Sequence, residues 1–188
     1  SAWIEDQFLR PVNLHLPIVQ TWQTELFPTT TGAMVSTEHR MEAWWRQSIR
    51  SDAASDPLRQ RMAFALSQIF VISDRMDSLN NDQRAMTSYY DTLLTHSFGT
   101  YRSLLEAVTR HPWMGLYLSS LRNRKADGAN RFPDENYARE VMQLFSIGLW
   151  LLNPDGTQNL SNGSDLGPDG ETVPAGDLIP SYGQDDIS

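Results

Sequence analysis

The longest apolar run of the chain, MAFALSQIFVI from Met62 to Ile72, sets the first limit on what the sequence can fold into. It is interrupted only by Ser67 and Gln68, and it follows Asp56-Pro57, a capping residue with proline at the first helical position. The run is shorter than the roughly 20 apolar residues of a membrane span. It therefore predicts a helix through Ile72, apolar on nearly every side and central to the core.

The flanking segments carry the same period. A short helix is expected before Pro11, then an amphipathic stretch from about Leu16 to Phe27 and a loop over Pro28–Ser36. Ser36 or Thr37 caps a helix with Met41, Trp44, Trp45 and Ile49 at three- and four-residue spacing. Adjacent tryptophans on a helix point about 100° apart, so Trp44 and Trp45 read as core and boundary and not as one flat ligand platform. Asp82 opens the next helix, with Met86, Tyr89, Tyr90, Leu93 and Leu94 on one face and an end near Gly99. Thr100 restarts the chain, which runs through Leu104, Leu105 and Val108 to His111-Pro112 and a short helix over Trp113–Leu121. A last helix follows, to about Leu149. The expected fold is all-α: a single multi-helix domain of six to eight helices. Its helical core spans residues 1–152, and residues 153–188 form an irregular segment rich in Gly, Pro and Asp. That segment holds two Pro-Asp-Gly turns and is either a hairpin or a long loop leading to a further C-terminal part.

Composition narrows the function classes. With 40% hydrophobic residues and six Trp the chain is globular, and a net charge of −8 argues against a nucleic-acid partner. It contains no cysteine, which removes disulfides, thiolate nucleophiles and Cys-based zinc sites. No stretch is long and apolar enough to predict a transmembrane segment.

The candidate chemistry lies in RFPDENYAREVMQLFSIG (Arg131–Gly148). Asn136, Glu140 and Gln143 share one helical stripe, Glu135 and Arg139 share the adjoining one, and Tyr137, Val141, Leu144, Phe145 and Gly148 form an apolar face. Asp134 suits the helix start. Two readings stand. In one, Glu140 is a general base or metal carboxylate, with Glu135 a second carboxylate and His111 a partner. In the other, Glu140 is the hub of a structural polar network. The Glu-x-x-His signature of di-metal bundles is missing, since the third position after Glu140 is Gln143 and after Glu135 is Ala138. HExxH is also absent, no metal ligand is assigned, and no motif specifies a cofactor. His111 precedes Pro112 at a helix end, where a protonated imidazole suits the dipole. Arg122, Arg124, Lys125 and Arg131 surround the Gly128 loop; with Asn136 and Arg139 they are the candidate binding residues, for an anionic group or for the chain's own acids.

Three stretches resemble the bacterial domain-of-unknown-function family numbered 1800: DPLRQRMAFALSQIFVIS (Asp56–Ser73), HPWMGLYLSSLRNR with DENYAREVMQLFSIG (His111–Gly148), and SYGQDDI (Ser181–Ile187). The resemblance implies a helical bacterial protein, often exported to the periplasm or cell envelope and encoded beside another exported family. It carries no established reaction. Family sequences continue past Tyr182-Gly183-Gln184-Asp185-Asp186 into a further helix and a Thr-Gly-Trp motif, so the chain reads as a central excerpt. Two functions are expected as alternatives: an envelope interaction or scaffold domain partnered by another exported protein, or a hydrolase or metal-dependent enzyme using Glu140, Glu135 and His111.

Overall fold

The computed structural model describes residues 1–26, 35–75, 82–128 and 130–187, and these divide between two compact units, Ser1–Tyr117 and Leu118–Ser188. In the first unit the described helices are α1 (Ala2–Leu9), α2 (Leu16–Leu26), α3 (Thr37–Ser48), α4 (Pro57–Ser67), α5 (Gln83–His96), α6 (Tyr101–Arg110) and α7 (Pro112–Tyr117). The expected end of α2 at Phe27 and most of the loop expected over Pro28–Ser36 lie outside the described residues.

Local chemistry sets the helix starts. The Asp82 carboxylate accepts the N–H groups of Arg84 and Ala85, Thr100 accepts that of Ser103, and Pro57 occupies the first position of α4. Helix α5 is the axle of this unit and packs against α2, α3, α4, α6 and α7. Its buried face carries Met86, Tyr89, Leu93 and Leu94, as the spacing predicts. The two leucines are fully enclosed, each worth about 1.5–3 kcal/mol of burial. Tyr89 donates its hydroxyl to the Phe70 carbonyl at 2.7 Å, and half-buried Trp44 donates its indole N–H to Tyr90 Oη at 3.0 Å. Trp45 is 54% exposed, so the pair divides between core and boundary.

Helix α4 departs from expectation. It touches α1, α3 and α5, as a central helix should, but it ends at Ser67 and not Ile72. Its buried positions are Arg59, Gln60 and Ala63, while Met62 and Phe64, and beyond the helix Ile69 and Val71, are exposed. The inward stripe is polar because α1, the segment before α2 and α5 offer it backbone and side-chain partners.

The second unit contains α8 (Asn136–Gln143), a 3₁₀ turn (Gln184–Asp186) and isolated antiparallel bridges, with no strand among its described residues. Of the two forms expected for this segment, a hairpin-type turn closes at each Pro-Asp-Gly. Asn153-Pro-Asp-Gly-Thr157 and Gly167-Pro-Asp-Gly-Glu171 close with the same bonds. In each the first N–H donates to the fifth carbonyl, the glycine N–H returns to the first carbonyl, and the aspartate side chain accepts the fifth N–H. Both tip glycines, Gly156 and Gly170, have positive φ. Three segments then meet in a ring of backbone bonds: Leu151 N to Ile179 O at 2.9 Å, Ile179 N to Asn159 O at 3.5 Å, and Asn159 N to Leu151 O at 3.1 Å. Leu118, Phe145, Val173, Ile179 and Ile187 are the buried apolar residues among those described in this unit. No described helix in either unit is long and apolar enough to cross a membrane.

Candidate functional site

Helix α8 is framed by a side-chain clasp. Asn123 Nδ2 donates to the Asp134 carbonyl at 2.7 Å, Asp134 N returns to Asn123 Oδ1 at 2.9 Å, and Asp134 Oδ1 takes the Asn136 N–H at 2.9 Å. Asp134 thus satisfies one of the open donors at the helix start. The helix stops at Gln143 and not near Leu149. Leu144 N and Phe145 N both turn onto the Glu140 carbonyl, Gly148 N reaches back to Met142 O, and Gly148 takes φ +78°. The wider turn puts Phe145 inside and leaves Leu144 65% exposed, which splits the expected apolar face.

The two glutamates meet different fates. Glu135 pairs with Arg139 Nη2 at 2.8 Å, Gln184 Nε2 donates to Glu135 Oε1 at 2.9 Å, and Arg139 Nη2 also donates to Gln184 Oε1 at 2.9 Å. Hydrogen bonds from Gln184 and then from Arg139 hold the Glu135 carboxyl below its ordinary pKa. Glu135 is therefore the hub of the network. Glu140 is half-buried, and its Oε2 is enclosed with no hydrogen-bond partner among the described residues. Gln143 leaves the expected stripe to donate to Tyr182 Oη, while Asn136 is exposed. Arg139, Gln143, Trp150, Tyr182 and Gln184 line an open cleft of about 290 Å³.

Arg122, Arg124 and Arg131 make no bond to this network among the described residues. Arg122, at φ +65°, and Arg124 are exposed in the turn after α7. Arg131 donates to the Lys125 carbonyl at 3.1 Å and faces Asp127 at 3.9 Å, closing its own loop. His111, in the first unit, ends α6: its N–H bonds Val108 O, its carbonyl accepts Gly115 N, and its Nδ1 accepts Trp113 N at 3.3 Å. Its ring meets Tyr89 edge-on at 5.1 Å. Burial lowers its pKa, so the environment disfavours the protonated imidazole expected at this helix end. Among the described residues no three His, Asp or Glu side chains converge on a metal position.

The most enclosed polar cluster escaped the sequence reading. His15 Nε2 lies 2.8 Å from Gln60 Oε1, and Gln60 Nε2 donates to Asn13 O at 3.0 Å and to Asp56 Oδ1 at 3.1 Å. Asp56 Oδ2 accepts the Asn13 N–H at 2.9 Å. Asp91, on α5, accepts the N–H groups of His15 at 2.9 Å and Leu16 at 2.8 Å, capping α2 from another helix. Burial lowers the His15 pKa and pushes Asp91 up to about 6, against the pull of its two backbone donors. Arg59 faces Asp56 at 3.7 Å, donates to Leu94 O at 3.3 Å and stacks over Phe98 at 4.3 Å. Every side chain but the His15 ring is tied to backbone, so the cluster holds α2, α4 and α5 in register. Its one readable signal is Asp56, Arg59, Gln60 and Ala63 at helical spacing, a polar stripe along a helix expected to be apolar on nearly every side.

No curated protein and no solved structure matches the chain. A family model described as "Protein of unknown function (DUF1800)" matches residues 1–188. The order of the Asp56–Ser73, His111–Gly148 and Ser181–Ile187 stretches is thus that of a known sequence family, and the chain belongs to the DUF1800 family, whose function is unknown.

Proposed function

We propose that the chain is an interaction domain of the bacterial cell envelope, docking an apolar helix of a partner protein on the outer face of α3 and α4. One observation carries the reading: α4 buries Arg59, Gln60 and Ala63 and leaves Phe64 50% exposed, its ring 5.8 Å from Trp44 of α3. The neighbouring helix extends the surface, because Met41, Trp45 and Ile49, at successive four-residue steps of α3 and its cap, are 40%, 54% and 69% exposed. A pocket of about 350 Å³, lined by Trp44, Phe64, Met86 and Tyr90 among others, opens between α3, α4 and α5 and suits one anchoring side chain. Contiguous apolar surface of this kind marks interaction sites on soluble proteins. The envelope location rests on the family resemblance alone.

The test places a photo-crosslinking residue at Trp45 or Ile69 in the protein expressed in its own host. The captured protein is then purified and its affinity measured for wild type and for Trp45→Arg/Ile69→Arg. The reading expects crosslinks from this face and at least a tenfold loss of affinity, about 1.4 kcal/mol, in a variant with unchanged melting temperature. Equal affinity of the two proteins overturns it.

The enclosed, partnerless Oε2 of Glu140 favours a second reading, hydrolysis with Glu140 as base, because an orphan buried carboxylate oxygen calls for an explanation. Against it, Glu135 is committed to Arg139 and Gln184. The two readings part on Glu140→Gln: loss of a hydrolytic activity with intact partner binding supports the enzyme.

A further inference from the structure

The cleft beside α8 has a composition that the network around Glu135 does not explain. Trp150 stands on its wall, 40% exposed, and Tyr182 flanks it. The tryptophan is mounted on a fixed backbone: Trp150 and Pro180 form an antiparallel bridge, framed by Leu151 N to Ile179 O at 2.9 Å and Ser181 N to Leu149 O at 3.1 Å. An indole on so fixed a backbone offers a flat apolar surface with only two rotatable bonds to order on binding.

The polar lining is planar and equally fixed. Glu135 and Gln184 both bond Arg139 through Nη2, which leaves the guanidinium Nε and Nη1 hydrogens without an acceptor among the described residues. Gln143 spends Nε2 on the Tyr182 hydroxyl; its Oε1 and the Tyr182 proton have no partner there either. The cleft therefore offers donors from Arg139 and Tyr182 and an acceptor from Gln143 around an aromatic wall. Its charge is already balanced, since Glu135 lies 2.8 Å from Arg139. An anionic ligand would meet a guanidinium whose charge Glu135 already neutralises, and a cationic one would meet the guanidinium itself. What fits is a neutral group with an apolar C–H face and an edge of hydroxyls that both donate and accept.

We propose that this cleft binds a neutral saccharide, one pyranose ring stacked on Trp150 with its hydroxyls bonded to Arg139, Gln143 and Tyr182. At about 290 Å³ the cleft falls just under the range of typical small-molecule sites, so it takes one ring of a longer chain and binds weakly, with Kd on the order of 1 mM. The site stands independently of the docking face on α3 and α4, and either can fail without the other.

The test is an NMR titration of the full chain with chitotetraose, cellotetraose and maltotetraose, each to about 10 mM, with citrate as the anionic comparison. At least one saccharide is expected to move both the Trp150 indole N–H signal and the Gln143 side-chain amide signals, while citrate moves neither. Trp150→Ala should weaken that saccharide at least tenfold, and Trp150→Phe, which keeps a stacking face, by only about threefold. The proposal is overturned if no saccharide moves those signals, if the shifts fall on other residues, or if citrate reproduces them. It is overturned equally if folded Trp150→Ala binds as wild type does. Should Trp150→Ala fail to fold by circular dichroism, the wild-type shift map and Trp150→Phe decide.

Discussion

Replacing Asp91 by asparagine isolates the energetics of the buried cluster. The carboxylate is 7% exposed and accepts the His15 and Leu16 N–H groups at the start of α2, yet burial raises its pKa from 3.8 to about 6. That difference is worth about 3 kcal/mol between the two protonation states, at 1.36 kcal/mol per pH unit. The sign follows from proton binding. Between pH 3.8 and about 6 the native state holds the Asp91 proton more tightly than the unfolded chain, so wild-type stability falls as pH rises through that window and levels off above it. Asparagine keeps the shape and one acceptor but cannot titrate. His15 works in the opposite sense: its pKa is lowered by burial, so its contribution is present above 6.5 and lost as pH falls below it. Both proteins carry His15, so the difference between them cancels it to first order. Urea unfolding followed by circular dichroism at steps from about pH 7 to about pH 4 should show wild type gaining about 2 kcal/mol on Asp91→Asn, because the last part of the window lies below pH 4. A difference flat to within about 0.5 kcal/mol, or one that grows toward neutral pH, would refute the reasoning.

Three further outcomes follow from the same physics. Asp56→Ala leaves the enclosed Arg59 guanidinium without its carboxylate and should cost about 3–5 kcal/mol in chemical denaturation, far more than an exposed pair such as Arg46–Glu42. Glu140→Gln removes no hydrogen bond at Oε2, so the melting temperature should move by no more than about 2 °C; a fall of many degrees would mean that this oxygen is a structural acceptor. Gly156→Ala and Gly170→Ala should each cost about 1–2 kcal/mol, measured by thermal melts, because both glycines sit at positive φ with nothing within 4 Å of an added Cβ.

What could be read from the sequence was local. Asp82 and Thr100 opened helices where expected because a cap and its helix are neighbours in the chain; Pro57 also begins α4 as expected, but the Asp56 carboxylate expected to cap it bonds Asn13 and Gln60 instead. The Glu135–Arg139 pair was likewise legible from its spacing. The residues that complete the sites were not. Gln184 and Tyr182 reach α8 from 45 and 39 positions away, and Asp91 caps α2 from 75. No periodicity encodes which distant side chain will satisfy an open backbone N–H. Glu140 was chosen as hub because it centres its own stripe, but the hub went to Glu135, whose distant partner Gln184 lies on the 3₁₀ turn.

The expectation of a helix apolar on nearly every side failed at α4 for a different reason, and that reason bears on function. Amphipathic reasoning puts the apolar side inward because water is the only alternative it considers. Here the inward side is filled by Arg59, Gln60 and Asp56, each bonded to a specific group from another segment. A well-packed apolar seam would give at least comparable stability, since buried ionic groups seldom outperform hydrophobic replacements. Stability therefore does not account for the inversion. What the polar seam supplies is register, because Gln60 fits only when Asn13, His15 and Asp56 are all in place. The seam also leaves Phe64 half exposed against Trp44 of α3, beside the Met41–Trp45–Ile49 stripe. Those outward residues add little to folding where they stand. Their hydrophobic free energy is still unspent, and it is realised only when another apolar surface covers them.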